Sequence, residues 1–304
     1  MPTPILVNSR SPMSIQADRM GRIDREIETL GRQISVGERF TTPSEDPAAA
    51  NRTALVERLQ SRLESDKRSI DRASARLALS ESAATTAREG LMRARELALS
   101  AANDTLSADD RIVIAREVQV LQDQLLGSAN AQDEAGRFLF AGARSAFPAY
   151  APQADGSIGW AGIDAGAGAE AAGFERTAPP NGPFLFGDGD TSAFAAMAAL
   201  SAALAEPDAE LRATGFAEAL TLLEGATNRL LDGQARIGAG MARLEQEGER
   251  LASAGIQAAE ALADAKGLDL TDAIARLDAL KIILEAAQGS FVRIYDGTLF
   301  DRLG

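Results

Sequence analysis

Between Phe216 and Leu262 the chain holds one seven-residue register for fourteen seam positions, passing through Leu220, Leu223, Ile237, Met241 and Leu244. A repeat that alternates three and four residues puts those side chains on one stripe of an α-helix, and so long a stripe needs a second helix along its length. The same chain supplies a candidate. A segment opening at Asp46-Pro47 carries the seam Val56, Leu59, Leu63, Asp66, Ile70, Ala73, Leu77, Ser80, Ala84, Ala87, Leu91, Ala94, Ala98 and Ala101, and small residues dominate its later half, where a partner can approach closely. Asp46 suits the N-cap and Pro47 the first helical position, which needs no amide donor. The two helices are each about 55 residues, or roughly 80 Å, and their matched lengths predict that they pair along one rod.

Shorter patterns flank this pair. Met20, Ile23, Ile27, Leu30 and Ile34 form one stripe of a first helix that ends near Gly37. Asn103-Asp104 breaks the second helix, and Ser107 with Asp110 reads as a capping box for a third, running to about Glu134 with Ile114, Val118, Leu121 and Leu125 inward. From Ala146 to Asp190 periodicity disappears, Gly and Pro crowd in, and Ser157 to Ile163 and Phe184 to Phe186 are strand candidates. Helical pattern returns at Ser192 and pauses near Pro207. A last helix follows Gly267, is capped most simply by Thr271, and carries Leu277, Leu280, Leu284, Phe291 and Ile294, with Leu299 and Phe300 near the close.

The expected fold is therefore mainly α: an elongated coiled-coil-like helical rod built from N- and C-terminal arms, with a small inserted β-rich or irregular domain. Residues 1–40 and 268–304 are expected to be terminal assembly helices, 41–145 and 191–267 the helical rod, and 146–190 an outward-facing insert. The terminal stripes lie at opposite chain ends with no obvious segment left to cover them, which predicts burial between subunits.

Composition narrows function. The chain has no His and no Cys, which removes imidazole bases, thiolate nucleophiles, disulfides and nearly every transition-metal site. A net charge of -13 argues against nucleic acid and anionic membranes as partners. Asp188, Asp190 and Ser192 have the spacing of a calcium loop, but Ala193 and Ala199 stand where that loop needs Gly and a bidentate Glu. Gly166-Ala167-Gly168 and Gly238-Ala239-Gly240 lack the third glycine of a dinucleotide loop. Asp109-Asp110 is explained by the start of a helix. No catalytic residue, cofactor or metal is expected. No run approaches the ~18 apolar residues of a membrane span, and Met1 to Arg10 lacks the charged start and apolar segment of a cleaved signal, so composition alone points to the cytoplasm.

Particular wording changes that last reading. Ser35-Val36-Gly37-Glu38-Arg39-Phe40-Thr41-Thr42-Pro43-Ser44-Glu45-Asp46-Pro47 resembles the "SGKRI-x-x-PSDDP" element of the flagellin superfamily, with Val36 and Glu45 as mild departures. Asn103-Asp104-Thr105-Leu106-Ser107 is similar to its helix-breaking turn, Gly136-Arg137-Phe138-Leu139-Phe140-Ala141-Gly142 to its "GRYLFAG" segment, and Leu299-Phe300-Asp301 to its "SLFDYL" tail. The "PSEDP" and "FLFAG" forms point to the hook-filament junction branch, whereas filament flagellin usually reads "A-x-DDAAG" and "FNG". The resemblance implies an export substrate without a cleaved signal, secreted to the flagellum and placed at the hook-filament junction. It implies self-association in a ring, with the other hook-associated junction protein, flagellin and an export chaperone as partners. It also implies that the terminal stripes are assembly interface. Pro43, Ser44, Glu45, Asp46 and Pro47 read as a loop and cap, with a loop contact to a neighbour along the filament axis as the functional alternative. Bulk filament flagellin is the alternative within the family, and a cytoplasmic coiled-coil scaffold the alternative outside it.

Overall fold

The structure is a computed structural model that describes residues 12–102, 106–163 and 180–300, with side chains from residue 14 to residue 293 within those ranges. Its elements are α1 (Pro12–Val36), α2 (Pro47–Ala101), α3 (Ala108–Ala129), β1 (Tyr150–Pro152), β2 (Ile158–Trp160), α4 (Gly182–Phe186), a 3-10 turn (Gly189–Thr191), α5 (Ala193–Ala205), α6 (Ala209–Lys266) and α7 (Leu270–Phe300). The fold is mainly α, with one small two-stranded antiparallel sheet. The chain divides into two compact units, Met1–Leu63 with Ser253–Gly304, and Glu64–Ala252.

The second unit holds most of the core. Along α6, Phe216, Leu223, Leu230, Ile237, Leu244 and Leu251 recur every seventh residue, and all are buried. Along α2, Ile70, Leu77, Ser80, Ala84, Ala87, Leu91, Ala94, Ala98 and Ala101 are buried in the expected register. Each large side chain removed from water contributes about 1.5–3 kcal/mol, while the alanines and Ser80 let helix surfaces come close. Ser80 is tolerated there because its hydroxyl donates to Arg76 O at 2.8 Å. Gln234 Nε2 donates to Thr85 Oγ1 at 2.8 Å and ties α6 to α2. Arg93 Nε bonds Glu117 Oε1 at 2.7 Å between α2 and α3, and α3 packs on α5.

Helix starts follow local chemistry. The expected capping box is present: Asp110 N donates to Ser107 Oγ at 3.2 Å and Ser107 N to Asp110 Oδ2 at 3.2 Å. Asp46 caps α2, accepting from Ala49 N at 2.9 Å, and Ser192 caps α5, accepting from Ala195 N at 3.0 Å.

Three expectations are corrected. Helix α3 ends at Ala129 rather than near Glu134, because Asn130 leaves the helix to bond the Tyr150 backbone. Phe184 to Phe186 is helical, not a strand: Asn181 Oδ1 accepts from Phe184 N at 3.2 Å and Pro183 sits in the first turn, a strong start for α4. Helix α7 is capped by Asp269, whose Oδ1 accepts from Thr271 N at 2.9 Å and Asp272 N at 3.1 Å, so Thr271 falls inside the helix. The strand expected within Ser157 to Ile163 is present as β2, paired with β1 in the register Tyr150 to Trp160.

The aperiodic segment joins the second unit's core through aromatics. Phe140 and Phe186 meet edge to face at 5.4 Å, and Tyr150 lies 5.8 Å from Phe186 and 4.9 Å from Phe194. The Tyr150 hydroxyl donates to Gly187 O at 2.6 Å, and burial pushes its pKa well up. Gly233 of α6 has no side chain because Leu185 of α4 occupies the place: a Cβ there would sit 2.1 Å from Leu185 Cδ2.

Candidate assembly surface

Within the first unit, α1 ends at Gly37, whose φ of +76° is the left-handed conformation that glycine adopts without strain. The chain then runs beside the α6–α7 junction. Arg39 N donates to Lys266 O at 2.7 Å and Leu268 N donates to Gly37 O at 3.2 Å, closing an antiparallel bridge between Glu38 and Gly267. Arg39 Nη2 adds a bond to Ala265 O at 3.4 Å. This brace fastens the chain leaving α1 to the chain entering α7.

Helices α1 and α7 pack on each other. Leu30 is buried, and Met20, Ile23, Ile27 and Ile34 are half-buried. On α7, Leu277, Leu280, Leu284 and Phe291 are half-buried. At 100° per residue these four fall on one narrow arc, which accounts for their shared partial cover. The terminal stripes thus find a first partner inside the chain. The side chains of Ile294, Leu299 and Phe300 lie outside the described residues. An ion pair between Arg276 Nη2 and Glu26 Oε1 at 2.6 Å joins the two helices at the surface, where such a pair contributes at most about 1 kcal/mol.

The loop into α2 is tied mostly to itself. Glu45 accepts from Thr41 N at 2.8 Å, and that backbone donor, with the Thr41 and Thr42 bonds, holds the Glu45 carboxyl below its ordinary value against a small opposing effect of burial. Arg39 Nη2 lies 3.3 Å from Asp46 Oδ2. Pro43, Ser44, Glu45 and Pro47 are exposed, and Asp46 is half-buried at its cap.

The sequence reading missed a second apolar face. Leu270, Ile274, Ile282 and Val292 span about a third of the α7 circumference beside the covered stripe, and Ile282 is 66% exposed and Val292 56%. The signal was available in the width of the apolar arc, which exceeds what one neighbouring helix covers. The unit's own core is thin. Among its described residues the buried hydrophobics are Leu30, Phe40, Ala49, Ala258 and Ala273. Two large side chains and three alanines supply little of the burial that the second unit draws from α2 and α6.

The chain is 36% identical over 113 residues to flagellar hook-associated protein 3 of Salmonella typhimurium, covering 37% of this chain and 36% of that protein. It is 34% identical over 132 residues to flagellar hook-associated protein 3 of Escherichia coli K12, covering 43% and 42%. The chain thus spans only 36% and 42% of the length of the curated relatives it matches. A solved putative flagellar hook-associated protein from Vibrio parahaemolyticus aligns with a TM-score of 0.65 at 21% identity, over 73% of this chain and 100% of that one. Xanthomonas campestris FlgL aligns with a TM-score of 0.57 at 16% identity, over 68% and 99%. At those identities the structural likeness is one of fold. Residues 7–145, a little under half of the chain, match the family model of the bacterial flagellin N-terminal helical region.

Proposed function

We propose that this chain is a structural subunit of the bacterial flagellum, an adaptor at the hook-filament junction needed for filament assembly and motility. The observation that carries the reading is the sequence match to two proteins named flagellar hook-associated protein 3. The exposed apolar arc of α7 over a thin terminal core supports it, since such a face gains burial on contact with other molecules. In this reading residues 1–40 and 268–304 are the assembly helices, 41–145 and 191–267 the helical body, and 146–190 faces outward. The stripe from Met20 to Ile34 and its counterpart from Leu277 to Phe300 are interface together with the exposed arc, and Pro43 to Pro47 contacts a neighbour along the axis. Partners are further copies in a ring, another hook-associated junction protein, flagellin, and an export chaperone that shields α7 before assembly. The chain acts by its interfaces rather than by catalysis.

A junction subunit closes one thin layer and then prefers different neighbours, whereas a filament subunit adds to its own kind indefinitely. Cells lacking the chain are expected to make complete hooks, release flagellin into the medium and lose motility. Long filaments formed by the purified chain alone, or a copy number in intact flagella far above one layer, would establish bulk flagellin instead.

A further inference from the structure

The second unit carries a groove of about 770 Å³ between α3, the β1–β2 hairpin, the 3-10 turn and α5. Its polar wall combines Gln119 and Asp123 of α3 with Asp155, Asp188 and Asp190, and Trp160, the chain's single tryptophan, lines it as well. This wall is held in place. The Trp160 indole N–H donates to Phe140 O at 3.2 Å, and the ring is wedged where Gly162 and Gly182 leave room: a Cβ at either would lie within 2.6 or 2.8 Å of it. Asp188 Oδ1 accepts from Trp160 N at 3.3 Å and Gly189 N at 3.0 Å, and Asp155 Oδ1 accepts from Ser157 N at 2.9 Å and Ser157 Oγ at 2.7 Å. Each carboxylate keeps a second oxygen outside those bonds.

The chemistry of the wall selects among ligands. Among the described residues lysine and arginine are absent from the lining, and its four carboxylates repel phosphates and other anions. An apolar ligand would strip water from carboxylates and amides without replacing their hydrogen bonds. Among the described residues the carboxylates do not converge into a group able to hold a metal ion. A purely cationic ligand would use the carboxylates but not the amide donors of Gln119 and Gln153, which share the wall. Vicinal hydroxyls use all of it, donating to carboxylates, accepting from amides and leaving C–H faces for an aromatic ring. We propose that this groove binds an uncharged oligosaccharide, with Trp160 as the surface on which a sugar ring rests.

The test uses the full chain, whose sole tryptophan reports directly on the groove. Emission is titrated with cellobiose, maltotriose and N,N′-diacetylchitobiose, with glycerol and spermidine as controls. A saturable shift at about millimolar or lower concentration of at least one saccharide is expected. The double variant Gln119→Ala with Asp123→Ala, both exposed on α3, should weaken it at least about tenfold at unchanged far-UV circular dichroism. Asp190→Asn supplies an independent check should the double variant misfold. Non-saturating changes with all three saccharides, the same response to glycerol, or saturation by spermidine alone would overturn the proposal, the last in favour of a cation site.

Discussion

Asn130 pairs with the backbone of Tyr150 at both ends of its amide: Oδ1 accepts from Tyr150 N at 2.9 Å and Nδ2 donates to Tyr150 O at 2.9 Å. One side chain at the end of α3 thereby fixes the first strand of the hairpin against the core. Asn130→Ala leaves two backbone groups without partners and is expected to cost about 1–3 kcal/mol, read as a lowered urea midpoint. Asn130→Asp should be no better at neutral pH, because it replaces a donor with a carboxylate facing the Tyr150 carbonyl.

Two glycines of α6 should respond in opposite directions. Gly233→Ala drives a methyl into Leu185 and is expected to destabilise by about 1–3 kcal/mol. Gly238→Ala meets open space on the same helix and should stabilise by about 0.5–1 kcal/mol through helix propensity. Denaturant midpoints of the two variants, compared with the parent, check both signs at once.

How much of this was legible follows from the kind of signal each residue leaves. The α2 and α6 seams could be read because burial there repeats with the helix period, so Leu77 and Ile237 announce their neighbours. Tyr150, Leu185 and Phe186 are equally buried, yet they sit in a segment without a period, and only the Asn130 clamp and the gap at Gly233 say where they go. The α7 cap was missed for a local reason: Asp269 and Thr271 are both good caps, and their order along the chain does not decide between them. The α1 stripe was legible, but its in-chain partner was not, since pairing chain ends leaves no mark in either helix alone.

Acid should loosen one fastening of the second unit. The Asp133 side chain is only 7% exposed, held by Arg137 Nη2 at 2.9 Å and Nε at 3.0 Å with Arg76 Nε at 3.7 Å. Burial raises its pKa, but the Arg137 and backbone hydrogen bonds outweigh burial, so the folded value lies below the ordinary one. Its contribution is therefore full above the unfolded pKa of about 4 and is lost as pH falls through the folded value. Asp133→Asn should lower the melting temperature at pH 7, with the gap to the parent shrinking steadily below about pH 4.

Ile282→Asp combined with Val292→Asp should leave the folded chain within about 0.5 kcal/mol of the parent, since both positions are exposed. Restoration of motility in cells lacking the chain should nonetheless fail. A variant that melts normally and restores swimming would remove the exposed α7 arc from the proposed assembly interface.

The brace at Gly37 and Gly267 also bears on the order in which the chain folds. Arg39 and Ala265 are 226 residues apart, and the Glu26–Arg276 pair spans 250. Closing so long a loop has an entropic cost that grows with the logarithm of its length, and that cost falls before any terminal contact can repay it. Once α2, α3, α5 and α6 have condensed, the free path between the two ends is short and the cost largely vanishes. The α1–α7 pair is therefore expected to be the last structure a single chain gains and the first it surrenders, leaving the terminal helices free to exchange partners at little expense to the rest.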